Sequence, residues 1–163
     1  MAIQRTFKGD SLLIAVDNYV VVDLETTGVS PARDRIIEIG AVRVEGGNVT
    51  AEYSRLVNPG RPVGSFITNL TGISDEMVRT ASPIDDVLPD FLNHLRPNDT
   101  IMAHNANFDV NFLYDNCMRV LDRPFSYDFI DTLRLSRALF PQERQHRLVD
   151  LIQRFGIADE EEH

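Results

Sequence analysis

Two carboxylates sit one residue apart in the stretch Tyr19-Val-Val-Val-Asp-Leu-Glu-Thr-Thr-Gly28. In an extended chain, residues i and i+2 project from one face, so Asp23 and Glu25 stand side by side. Like charges at that spacing repel, and one takes up a proton unless a cation intervenes. Their hard oxygens suit Mg²⁺ or Mn²⁺. The residues before Asp23 form a continuous β-favouring apolar run, and Thr26-Thr27-Gly28 reads as a turn. The pair is therefore expected at the carboxyl end of a buried strand, where ligands gather in open α/β sheets.

A second polar concentration lies in Ala103-His-Asn-Ala-Asn-Phe-Asp-Val-Asn-Phe-Leu113. It follows a short apolar run and opens a helical pattern. Asp109 falls in the first turns of that helix, where an acid is either a dipole partner or part of a site. The density of His104, Asn105, Asn107 and Asp109 beside a strand end favours a site.

The elements that must position these residues can be read from hydrophobic periodicity. Strands are expected over 19–24, 35–45, 49–57, 100–103 and 127–130, with Gly46-Gly47-Asn48 as the turn between the second and third. Ser74 caps a helix led by Asp75 and Glu76, and Ser82-Pro83 opens another that ends near Leu95. Phe108, Phe112, Leu113, Cys117 and Val120 form the stripe of a helix over 107–120. One helix runs to Leu139 before Pro141, and a last one, 147–155, closes at Gly156. Three strands followed by alternating helices and strands imply an α/β fold with a mixed five-stranded sheet flanked by helices. Residues 1–17 are weakly patterned and read as a lead-in.

Bulk composition narrows the classes. The 163 residues, 43% of them hydrophobic, suit one domain with a proper core. There is no long apolar run to cross a membrane and no signal-peptide pattern. A single cysteine, Cys117, rules out an internal disulfide and is compatible with a reducing, cytoplasmic setting. The net charge of −9 argues against a general electrostatic nucleic-acid binder, although clustered acids offset by bound metal would account for part of it. All basic residues but Lys8 are arginine.

The strings VVDLETTG and AHNANFD, with NLTGISDEMV between them and DTLRLSRALFP after them, resemble the motifs of the DEDDh 3'-5' exonuclease family. The similarity is greatest to the proofreading domains of bacterial replicative DNA polymerases: the polymerase III epsilon subunit and the exonuclease domain inserted in the Gram-positive enzyme. It covers roughly residues 18–163. The resemblance implies an RNase H-like fold and two divalent ions, Mg²⁺ or Mn²⁺, held by Asp23, Glu25 and Asp109. It implies release of nucleoside 5'-monophosphates from single-stranded 3' ends, DNA favoured, and a polymerase as possible partner. Thr26, Leu70, Thr71, Ile73, His104, Asn105 and Phe108 fall at or beside matching substrate-contact positions, Phe108 being equally readable as core.

Two histidines compete for the family's general base. His146 opens a helix, with Asp150 four residues on. His163 follows Phe155-Gly156-Ile157 and matches the catalytic position. The family's fourth carboxylate, five residues past that histidine, then falls beyond the sequence, and a truncated piece of a longer chain, without the closing helix, is expected. Two rivals remain on sequence grounds: an RNA-trimming relative, since no 2'-hydroxyl contact is readable, and a non-catalytic nuclease-like module that binds a polymerase or a 3' end. The missing Gly-x-Gly-x-x-Gly turn disfavours a dinucleotide enzyme.

Overall fold

The structure is a computed structural model, and residues 4–157 are described. Its centre is β2 (Asn18–Thr26), where Val20, Val22, Leu24 and Thr26 are buried and alternate with Val21, Asp23 and Glu25. That alternation sends the apolar half into the core and the two acids to the opposite face.

β3 (Ile36–Glu45) runs antiparallel to β2, and β4 (Asn48–Leu56) returns along β3. The reversal needs Gly46 and Gly47, whose φ angles of 57° and 82° suit glycine. β5 (Ile101–Ala103) and β6 (Phe129–Asp131) add parallel pairings on the other side of β2. A two-residue strand, β1 (Ser11–Leu12), pairs parallel with β6, so the sheet order is β1-β6-β5-β2-β3-β4. The fold is α/β and RNase H-like, as expected, but the sheet has six strands rather than five. Two residues are too few to carry a period-two pattern, which is why β1 left no trace in the sequence.

The segment read as a lead-in is fastened to the domain. Arg5 makes a bidentate ion pair with Asp115, both contacts 2.8 Å. Lys8 donates to Asn107 Oδ1 at 2.6 Å and Asn111 Oδ1 at 2.8 Å. Gly9 presses on the Tyr127 carbonyl so closely that an added Cβ would lie 1.8 Å from its oxygen.

The helices are α1 (Ser65–Thr71), α2 (Asp75–Arg79), α3 (Ile84–Asn93), α4 (Asn107–Leu121), α5 (Thr132–Leu139) and α6 (Leu148–Phe155). Ser74 caps α2, its side chain accepting from Met77 N–H. Side chains of α3 and α4, among them Leu88, Phe91, Phe112 and Leu113, pack on Val20, Val22 and Leu24 to form the main core. A smaller cluster joins Ile37, Val63, Ile73 and Val78, with Leu56 and Ile67 against it. α1 was not foreseen. It buries no residue, so it carries no amphipathic stripe to read.

Candidate active site

The β2–β5 pairing is short, and its end creates the site. Val20 N–H donates to Thr100 O at 2.9 Å on the edge facing β5. Register carries Val21 to Met102, after which β5 stops at Ala103. Leu24 N–H lies four residues along the same edge, beyond the last pairing. Asp109 Oδ1 accepts it at 3.1 Å. A buried N–H must find a partner, and here α4 supplies a carboxylate. The helical acid is thereby tied to the residue that separates Asp23 from Glu25.

The three acids differ in setting. Asp23 is open to solvent, Glu25 is half-buried and Asp109 is 4% exposed. Although its side chain reaches solvent, the protein packed around the Asp23 carboxyl takes away part of its hydration and raises it above its ordinary value. Burial, then the charges of Asp23 and Glu38, raises Glu25. Asp109 is pushed up to about 7, first by burial and then by the charge of Asp23, with Glu25 adding to the push and the Leu24 N–H opposing it. The acids thus share one electrostatic field. Among the described residues, no three His, Cys, Asp or Glu side chains are drawn together closely enough to enclose an ion as they stand. The donor set is nevertheless all hard oxygen and burdened with like charge. A divalent cation fits that chemistry and would relieve the crowding.

The loop between β5 and α4 is set by Asp131. This buried residue uses one oxygen to cap α5, accepting Leu133 N–H at 2.9 Å, and to accept Asn105 N–H, also at 2.9 Å. Asn105 is exposed and sits at φ 61°, a left-handed conformation that asparagine tolerates. His104 is half-buried, and its Nδ1 lies 2.9 Å from Thr132 Oγ1. The string Asp131-Thr132-Leu133 stands out in the sequence, but Asp131 was not singled out there. Nor was Glu38, which lies opposite Glu25 in the β2–β3 ladder.

The other residues singled out in the sequence fall on several elements. Thr26 continues β2 rather than beginning the turn. Its side chain is buried on the core face, and its hydroxyl donates to Gly28 O at 2.6 Å. Leu70 is 70% exposed on α1, whereas Ile73 is buried in the smaller cluster. Thr71 Oγ1 donates to Ile67 O at 2.8 Å and accepts Ile73 N–H at 3.1 Å. Phe108 packs against the main core, its ring 5.0 Å from that of Phe112. His146 Nδ1 lies 2.8 Å from Ser136 Oγ, at the edge of α5. His163 lies outside the described residues.

A mixed α/β sheet with acids at the carboxyl end of an inner strand, and a third acid brought in by a helix, defines the RNase H-like class of nuclease domains. The family model described as RNase_T, exonuclease, matches residues 20–163, and the chain belongs to that exonuclease family. Among curated relatives, the PolC-type DNA polymerase III of Streptococcus pneumoniae is 42% identical over 146 residues, covering 89% of this chain and 10% of that protein. The Bacillus subtilis enzyme of the same name is 40% identical over 146 residues, with the same coverage. The chain thus spans about a tenth of the length of these relatives. Among solved structures, exonuclease X in complex with 5'-overhanging duplex DNA has a TM-score of 0.68 at 27% identity, over 87% of this chain and 75% of that one. Exonuclease I shares the fold, with a TM-score of 0.77 at 20% identity over 88% of this chain and 36% of that one. No helix among the described residues is long and apolar enough to cross a membrane.

Proposed function

We propose that this chain is a divalent-metal-dependent 3'-5' exonuclease that releases nucleoside 5'-monophosphates from DNA 3' ends in replication proofreading. The observation that carries the reading is the bond from Leu24 N–H to Asp109, which brings a helical carboxylate to the pair on β2. The identity to PolC-type polymerases supports the replicative setting and DNA as substrate.

Asp23, Glu25 and Asp109 would hold Mg²⁺ or Mn²⁺, two ions in all. When bound, such ions polarise an attacking water and neutralise charge on the phosphoryl group and the leaving 3'-oxygen. Glu25 and the end of β2 that follows it would border the place of the terminal nucleotide. Leu70, exposed on α1, offers an apolar edge for the last base. Asp131 and Thr132 hold Asn105 and His104 at the mouth of the loop. The water's proton goes to a general base, the role the family resemblance gives to His163. Contacts of this kind position a strand without reading its sequence. A frayed mismatch is then the preferred substrate, because only unpaired nucleotides reach the acids.

A 5'-labelled single strand incubated with Mn²⁺ should yield a descending ladder that EDTA abolishes. Internal cuts alone, or no cutting by the complete protein, would sink the reading. An RNA strand of equal length, digested as fast or faster, would replace DNA by RNA as the substrate.

A further inference from the structure

α4 begins without a side-chain cap. The residue ahead of it is Ala106, which can accept nothing, so the first N–H groups of the helix lack the usual side-chain partner. Asp109 is the third residue of that helix, and the charges of Asp23 and Glu25 press on it. An uncapped turn bearing a repelled acid is prone to fray, and fraying here would carry Asp109 away from Leu24 N–H. The first turn needs another restraint.

Lys8 supplies one. Its ammonium donates to Oδ1 of Asn107 at 2.6 Å and to Oδ1 of Asn111 at 2.8 Å, one amide in the first turn and one in the second. These residues lie two before and two after Asp109, so the bridge spans the acid along the helix. It does so from behind. Two residues are about 200° of helical rotation, and Asp109 is buried where Asn107 is exposed. A cation at a helix N-terminus opposes the helix dipole, a cost that the two amide oxygens offset.

Lys8 is itself held on both sides. Arg5 pairs with Asp115, further along the same face of α4, and Tyr114 Oη donates to Thr6 O. Asp10 N–H donates to Asp128 Oδ1 at 2.8 Å, and Phe129 N–H to Asp10 O at 2.9 Å, which joins the segment to β6. Between these anchors Phe7 stands 77% exposed at φ 63°, a left-handed conformation strained for an aromatic residue. The strain is tolerated in a reversal that lets Arg5 and Lys8 both reach α4.

We propose that Lys8 is a positioning residue for Asp109: by stapling the first turn of α4 to the second, it keeps the acid seated beside Asp23 and Glu25. The proposal rests on the exonuclease reading above and acts through the helix, not through the substrate.

The test is made on the complete protein, with two readouts. In EDTA, amide hydrogen exchange at Leu24 reports the seat of Asp109 without metal or DNA. Lys8→Met keeps the aliphatic stem and removes the ammonium. It should speed exchange at Leu24 about tenfold while leaving the Val57 N–H, which donates to Ile37 O, at its native rate. On single-stranded DNA the same variant should need about tenfold more Mn²⁺ for half-maximal mononucleotide release, with KM for DNA unchanged and kcat restored at saturating Mn²⁺. Lys8→Arg should match the native chain in both. Asn111→Ala, which takes one arm from the staple and leaves the strap alone, should reproduce both changes. Native exchange at Leu24 in Lys8→Met, or equal acceleration at Leu24 and Val57, would overturn the proposal. So would a raised KM with an unchanged Mn²⁺ requirement, since Lys8 would then be a phosphate contact. No digestion by the native chain would instead overturn the exonuclease reading, and exchange at Leu24 would still decide whether Lys8 seats Asp109.

Discussion

Asp109 Oδ1 accepts the backbone N–H of Leu24 at 3.1 Å, and Leu24 is the residue flanked by Asp23 and Glu25. One hydrogen bond therefore fixes the spacing between acids drawn from segments more than eighty residues apart. It also gives Asp109 a structural duty that its charge opposes, because burial and the charges of its neighbours favour the protonated form.

Asp109→Asn separates those duties. The amide oxygen can still accept from Leu24 N–H, while the charge is gone. Nuclease activity should fall at least a hundredfold, read as mononucleotide release with Mn²⁺ present, with the fold retained by circular dichroism. Full activity in this variant would remove Asp109 from the site.

The same variant should reveal the electrostatic cost in chelator. The Asp109 carboxyl lies at about 7 in the folded chain against an ordinary 3.8. A raised carboxyl means that the folded state binds its proton more tightly than the unfolded state does. The stability it contributes is complete below about pH 4 and is lost as pH rises through about 7. The gap amounts to about 4 kcal/mol at most. Urea unfolding with EDTA should find native and Asp109→Asn similar near pH 4, and the variant the more stable at pH 8. Parallel curves at both pH values would refute the burial and crowding described for Asp109.

Divalent ions should reverse that ordering. Mn²⁺ binds only the folded arrangement of acids, so the native Tm should climb with ion concentration, and the Asp109→Asn Tm much less. Thermal melts over a Mn²⁺ series at pH 8 make the comparison. Equal responses of the two chains would place the ions elsewhere.

Asp131→Ala should cost about 1–3 kcal/mol, because it removes an α5 cap and leaves the Asn105 and Leu133 N–H groups without their acceptor. Activity should fall further than stability explains, since Asn105 lies in the loop that leads into α4. A chemical denaturation curve with kcat measured on the same sample would show whether the two losses part company.

How much of this was readable in the sequence depends on what each residue does. Asp23 and Glu25 were legible because a strand's period of two places them together, and the structure shows that alternation from Val20 to Thr26. Asp109 was legible as a helical acid but not as the partner of Leu24, a contact that arises only because β5 ends at Ala103. Asp131 acts through backbone N–H groups, which leave no mark on composition. Thr26 was read as the start of a turn, yet it completes β2, since the turn begins only after the register slip at Glu25. α1 and β1 were missed for opposite reasons: the first buries nothing and the second is two residues long.

The order of strands leaves the two margins of the sheet unlike one another. β4 presents nine residues of outer backbone, and its exposed side chains include Glu52 and Arg55, charges that a foreign strand would have to strip of water on docking. The other margin is finished by β1 alone, which covers the apolar Phe129 and Ile130 of β6. Trimming the chain back past Leu12 would bare that apolar lip and invite fibrous self-association, so two residues of strand act as a guard rail for the whole domain.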